Sequence, residues 1–276
     1  MLNKQPIGIF DSGYGGLTVF RSIADQLPDY DYIYLGDNAR APYGNRSFNT
    51  IHQYTWECVQ MLFKMGCPLV ILACNTASSK ALRTIQQQDL KNEDPHKRVL
   101  GVIRPTAEVI GDYTQTKQIG VLGTKGTVQS ESYLIEINNF FPDVKVYQQA
   151  CPLWVPLIEN GEYDHPGADY FVKNYLDQVL AQSDRIDTLL LACTHYPLLQ
   201  EKIKAYLPAN IKVVPQGDIV AKSLKDYLGR HPEMKKKLTR EGSQRFFTTS
   251  DDTADFDHHA SIFFSEQVKS EYIPLK

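Results

Sequence analysis

Val70-Ile71-Leu72-Ala73-Cys74-Asn75-Thr76 and Leu189-Leu190-Leu191-Ala192-Cys193-Thr194-His195 are two versions of one pattern. In each, a short and uninterrupted apolar run leads into alanine, cysteine and then polar residues. Such runs, with helix-length amphipathic stretches between them, mark strands buried on both faces of a parallel sheet. Asn75 and Thr76 favour helix caps, so Cys74 falls where a strand ends and a helix begins. Cys193 holds the same place in the second copy.

The repetition extends outward from these two runs. Ile7-Gly8-Ile9-Phe10-Asp11-Ser12-Gly13 has a counterpart in Ile119-Gly120-Val121-Leu122-Gly123-Thr124-Lys125, and residues 32–35 pair with 145–148. Three pairs in the same order at nearly the same separation indicate a duplicated β-α-β unit. Strands are expected at 7–10, 32–35, 69–73, 99–102, 119–122, 144–147, 188–192 and 212–214. Helices are expected between them, as at 17–26, 50–65, 78–87, 128–140, 170–181 and 200–206. The fold class is therefore α/β: two pseudo-symmetric α/β domains with mostly parallel sheets and a site in the cleft between them. The expected division is 1–98 plus 214–276 for the first domain and 99–213 for the second. The charged, proline-containing loop at 91–98 is read as the break, and the stretch around 246–250 as completing the first domain.

With 276 residues, 42% hydrophobic and 22% charged, the chain can bury two ordinary cores. A net charge of -3 gives no basic footprint for nucleic acid. Lys235, Lys236 and Lys237 with Arg240 read as a solvated helix face. The apolar runs fall well short of the roughly 18 residues that a membrane span needs, and Asp11 interrupts the first of them before a signal peptide could form. A cytoplasmic location is the expectation. Five cysteines without C-x-x-C spacing argue against a disulfide framework or a zinc ribbon.

Asp11-Ser12-Gly13-Tyr14-Gly15-Gly16 follows a strand and opens a helix. Its glycines suit positive φ and close approach to a ligand, but neither dinucleotide nor Walker spacing is present. Cys74, at a helix N-terminus, is expected to have a pKa lowered from about 8.5. Taken alone it could equally be a buried packing thiol. Cys193, matched in place and followed by Thr194 and His195, shifts that balance towards chemistry. Cys58, Cys67 and Cys151 are assigned to packing. Zinc fits poorly, because Cys193 and His195 are one residue apart and no further cluster completes a tetrahedral set. Cys–His nucleophilic catalysis needs one thiol and leaves the second unexplained. Two matched thiols across a cleft suit inversion of a stereocentre, where a base removes a proton from one face and an acid delivers one to the other. No metal or other cofactor is called for, and no pyridoxal-type lysine site is apparent.

Asp11-Ser12-Gly13, Pro42-Tyr43-Gly44, Cys74-Asn75-Thr76-Ala77, Gly123-Thr124 with Gly126-Thr127, and Cys193-Thr194-His195-Tyr196-Pro197 together resemble the glutamate racemases of the cofactor-independent aspartate/glutamate racemase superfamily. The resemblance runs from Ile7 to Phe246-Phe247-Thr248-Thr249. It implies interconversion of L- and D-glutamate, with D-glutamate supplied to peptidoglycan. Under it, Cys74 is the base for the D-enantiomer and Cys193 for the L-enantiomer, assisted by Asp11 and His195 respectively. Ser12, Tyr43, Gly44, Asn75, Thr76, Thr124, Thr127 and Thr194 hold the substrate, and Glu159 stands near His195. A homodimer is a further implication. Pro215-Gln216-Gly217-Asp218 departs from the family pattern. The short stretch before the first strand argues against activation by a cell-wall precursor through an N-terminal extension. Aspartate racemase, a hydrolytic relative of the fold, and a non-catalytic binder of acidic amino acids are the competing readings.

Overall fold

Each apolar run becomes a strand because it is covered from both sides, and the computed structural model, which describes residues 5–275, shows what covers it. The strands are β1 (Ile7–Asp11), β2 (Tyr32–Gly36), β3 (Leu69–Leu72), β4 (Arg98–Gly101), β5 (Gln118–Gly123), β6 (Lys145–Ala150), β7 (Thr188–Ala192), β8 (Lys212–Val214), β9 (Gln244–Thr248) and β10 (Ser270–Tyr272). They form a six-stranded sheet, β10-β9-β2-β1-β3-β4, and a four-stranded sheet, β6-β5-β7-β8. Every pairing is parallel.

The inner order β2-β1-β3-β4 is repeated as β6-β5-β7-β8, so the two halves are topological copies. Register makes the equivalence specific. Ile7 pairs with Tyr32 and Leu69, while Ile119 pairs with Val146 and Thr188. The counterpart of Tyr32 is therefore Val146, one residue beyond the Lys145 that sequence comparison suggests. The core strands β1, β2, β3, β5 and β7 are buried throughout, as continuous apolar runs require.

Two features differ from expectation. The strand at 98–101 pairs with β3, not with anything in the second sheet, so the chain crosses over after Gly101 and not before Val99. The charged loop preceding it is a connection within the first sheet, closed where Arg98 N–H donates to the Pro68 carbonyl at 2.9 Å. The short strand β10 had no clear sequence signal; it adds an edge beside β9. β9 itself lies against β2 in the six-stranded sheet, where the stretch around 246–250 was expected to return.

One apolar cluster spans the two sheets, joining Ile9, Leu17 and Phe20 to Leu122, Trp154 and Leu189. Separate clusters cover the outer faces. The Gly217–Arg230 helix packs on the Gly16–Gln26 helix, so the chain returns to the first half after β8. Among the described residues, no helix is long and apolar enough to cross a membrane.

Candidate active site

In an open parallel sheet, ligands bind beyond the strand C-termini, where successive connections leave to opposite sides. Here β1 has β2 on one side and β3 on the other, which puts Ser12 and Cys74 at that crevice. In the second half, β5 and β7 put Thr124 and Cys193 at the equivalent one. The two crevices face each other. A cavity of ≈ 60 Å³ between them is walled by Ser12, Tyr43, Gly44, Cys74, Asn75, Thr76, Thr124, Glu159, Cys193, Thr194 and His195, with Cys151 and Lys125 among the further contributors.

The halves touch directly around this cavity. Gly126 N–H donates to the Gly44 carbonyl at 3.0 Å, and the Thr76 and Thr124 hydroxyls are 3.0 Å apart. Thr18 Oγ1 donates to the Thr194 carbonyl at 2.8 Å. Thr124 caps the Lys125–Gln129 helix by accepting from Thr127 N–H. Thr127 is fully buried behind it, outside the cavity wall, with its hydroxyl 3.1 Å from that of Thr124. The Tyr43 hydroxyl is bound to buried Asp37 and so is already engaged away from any ligand.

Cys74 caps the Asn75–Lys80 helix, its sulfur accepting from Ala77 N–H at 3.4 Å. Ser12 Oγ lies 3.4 Å from the same sulfur. The helix start was expected to lower this thiol's pKa, and the structure reverses that. Burial, then the neighbouring Asp11 carboxylate, outweigh the hydrogen bonds from Ser12 and Ala77 and push Cys74 up to about 12. It rests as a neutral thiol. Asp11 is fully buried behind Ser12, with Oδ2 accepting from Gly13 N–H at 2.8 Å. Burial raises its carboxyl, opposed by the positive charge of His195 and the Gly13 and Gly16 amides.

Cys193 has different company. Its sulfur is 3.9 Å from His195 Nδ1, and His195 Nε2 is 3.0 Å from Glu159 Oε1. Burial alone would lower the imidazole pKa. Hydrogen bonds and charge from Cys193 and Glu159 overcome that and raise it from 6.5 to about 10. His195 is thus an imidazolium at neutral pH, aimed at Cys193 on one side and held by a carboxylate on the other.

The glycine-rich turn earns its glycines in a way the sequence did not suggest. Among the described glycines, positive φ occurs at Gly66, Gly161 and Gly242 and not in the turn. A Cβ on Gly15 would lie 2.3 Å from His195 Nδ1 and 2.4 Å from Thr194 Oγ1, and one on Gly16 would lie 2.4 Å from Asp11 Cβ. The close approach is therefore to the second half's own histidine as well as to any ligand.

Cys58 and Cys67 sit in the apolar core, as assigned. Cys151 packs in the core too, but it also borders the cavity, following the end of β6. Sequence reasoning missed this third strand-end thiol because β6 lacks an apolar run. Among the described residues, no group of three or more His, Cys, Asp or Glu is placed to hold a metal ion.

Comparison with known proteins agrees with this geometry. The family described as Asp/Glu/Hydantoin racemase matches residues 7–224. The glutamate racemase of Sulfurihydrogenibium sp. (strain YO3AOP1) is 41% identical over 98% of this chain and 98% of its own length. Among solved structures, a glutamate racemase isoform from Bacillus anthracis has a TM-score of 0.88 at 35% identity, covering 98% of both chains. One from Francisella tularensis, determined in complex with D-glutamate, has a TM-score of 0.86 at 30% identity, covering 100% of this chain and 99% of that one. A family match that takes in both strand-end cysteines, Asp11 and His195, together with relatives alike over nearly their whole length, means that this chain belongs to the Asp/Glu/Hydantoin racemase family.

Proposed function

We propose that the chain is a glutamate racemase working by two cysteine bases without an organic cofactor. The observation that carries this reading is the delivery of Cys74 and Cys193 to one cavity from equivalent strand ends of two facing halves. With L-glutamate bound, Cys193 takes the α-proton and the Cys74 thiol delivers one to the opposite face. The reverse direction exchanges the roles. Cys74, resting as a thiol, suits the acid role in the first direction. The imidazolium of His195, 3.9 Å from Cys193 Sγ, stabilises negative charge on that sulfur and can return a proton to it.

A carbanion at Cα is stabilised chiefly by donors on the adjacent carboxylate. Thr76 and Thr194 supply such groups beside the cysteines, and Asn75 supplies a donor that holds the bound substrate throughout. In a small cavity between the two halves these interactions meet less competition from water than at an open surface. Glutamate is preferred over aspartate because the near-full-length relatives at 35–41% identity are named as glutamate racemases.

The physiological reading that goes with this activity is a cytoplasmic supply of D-glutamate for peptidoglycan, by a chain that works as a homodimer. Incubation of reduced protein with L- or D-glutamate, and no added cofactor, should bring the circular dichroism signal to zero from either side. Folded protein that leaves glutamate optically unchanged would sink the assignment, and activity on aspartate alone would replace the substrate.

A further inference from the structure

Pro215-Gln216-Gly217-Asp218 contains the centre of a buried hydrogen-bond ring. Gln216 follows β8 at the point where the chain crosses back to the first half, and only 3% of it is exposed. Its Oε1 accepts from Asn75 Nδ2 at 2.7 Å. Its Nε2 donates to Thr106 Oγ1 at 2.8 Å and to the Tyr133 hydroxyl. Tyr133 in turn donates to Asn75 Oδ1 at 2.5 Å. Thr106 lies on the other crossing, in the helix between β4 and β5, and Tyr133 on a helix of the second half.

The direction of every bond in this ring follows from one end. Thr106 spends its hydroxyl proton on the Val102 carbonyl at 2.8 Å, so towards Gln216 it can only accept. That turns the Gln216 amide so that Nε2 faces Thr106 and Tyr133, which leaves Oε1 for Asn75. Asn75 must then present Nδ2 to Gln216 and Oδ1 to Tyr133. Its amide is fixed end for end, one Nδ2 hydrogen lies in the ring, and the residue itself lines the cavity next to Cys74. A leucine at 216 could fill similar space without a buried polar network that must be satisfied at every atom. What the glutamine adds is orientation.

We propose that Gln216 is a positioning residue for the reaction. It sets the Asn75 amide so that an N–H faces the substrate beside Cys74, and it does so from the segment that joins the two halves. This rests on the racemase reading above and extends it to a residue outside the cavity wall.

The test is steady-state racemisation of both glutamate enantiomers by wild type, Gln216→Leu, Tyr133→Phe, Asn75→Ala and the double variant Asn75→Ala/Gln216→Leu, with thermal melts alongside. Loss of an oriented hydrogen bond to bound substrate should raise KM about tenfold in Gln216→Leu and several-fold in Tyr133→Phe, with kcat changed less. In the Asn75→Ala background, Gln216→Leu should add less than about a twofold further change. Wild-type KM in folded Gln216→Leu overturns the proposal, as does an effect that multiplies fully on Asn75→Ala. If Gln216→Leu does not fold, Tyr133→Phe and its combination with Asn75→Ala decide by the same criteria. Wild-type protein that fails to racemise glutamate removes the functional reading and this inference with it. Active wild type with indifferent variants removes the positioning role alone.

Discussion

The Cys74 end and the Cys193 end of the cavity occupy the same place in duplicated β-α-β units, yet little behind them is alike. Cys74 caps a helix and faces Ser12, with the buried Asp11 carboxylate near enough to oppose its ionisation. Cys193 faces an imidazolium tied to Glu159. Duplication supplied the symmetry of position that removal and delivery of a proton on opposite faces require. The neighbours then diverged, because each thiol's proton affinity is set by its own burial and charges and not by the fold. A reaction between mirror-image molecules thus proceeds in a site whose two sides need only balance overall. The enantiomers are equal in energy, so kcat/KM must match in the two directions whatever the asymmetry of the helpers.

The comparison breaks most directly at the sulfurs. Cys74→Ser and Cys193→Ser should each lower racemisation by about 10³-fold, the scale of losing a positioned acid or base. A variant of either that keeps wild-type turnover would show that one thiol suffices. Behind Cys193, His195→Asn should lower kcat/KM by about 10²-fold in both directions while changing the two kcat values unequally. Equal loss in kcat would mean that His195 serves both sulfurs alike.

A smaller effect is expected from the packing between halves. A methyl group at Gly15 would press on His195 and Thr194. Gly15→Ala should therefore cost about 1–3 kcal/mol of stability and about tenfold in activity, read from urea unfolding and turnover on the same preparation.

The last of these effects is electrostatic and sharpens the contrast. The His195 pKa is raised from 6.5 to about 10 on folding, so its contribution to stability is fully present below pH 6.5 and disappears as pH rises through 10. Between those limits, wild-type unfolding free energy should fall relative to His195→Asn, with a limiting slope of roughly 1.4 kcal/mol per pH unit. Parallel stability curves for the two proteins would place the histidine's proton elsewhere.

The sequence made the repeated strands legible because β1, β3, β5 and β7 are buried on both faces and so carry unbroken apolar runs. Their ends carried the site: Ser12, Cys74, Thr124 and Cys193 could be placed at matching positions before any coordinates. Edge strands were harder. β6 reads Lys-Val-Tyr-Gln-Gln-Ala, partly exposed along its length, which obscured both its register and the strand-end position of Cys151. β4 was recognised as a strand, but its sheet was not, since a charged loop before it looks the same whether it links domains or strands. Asp11 and Thr127 were drawn to the site by their motifs, and both stand behind the cavity wall. Gln216 carried no local signal as a partner of Asn75, because its role exists only when residues 75, 106, 133 and 216 meet.

The central claim is that two thiols act on opposite faces of one carbon, and isotope placement tests it most directly. Reduced protein in deuterated water, given L-glutamate or D-glutamate and sampled by NMR early in the reaction, should put deuterium at Cα of the newly formed enantiomer. The remaining substrate should stay protiated, because the thiol that removes a proton is not the one that supplies its replacement. Equal deuteration of substrate and product, or a product that keeps its original hydrogen, would contradict the account.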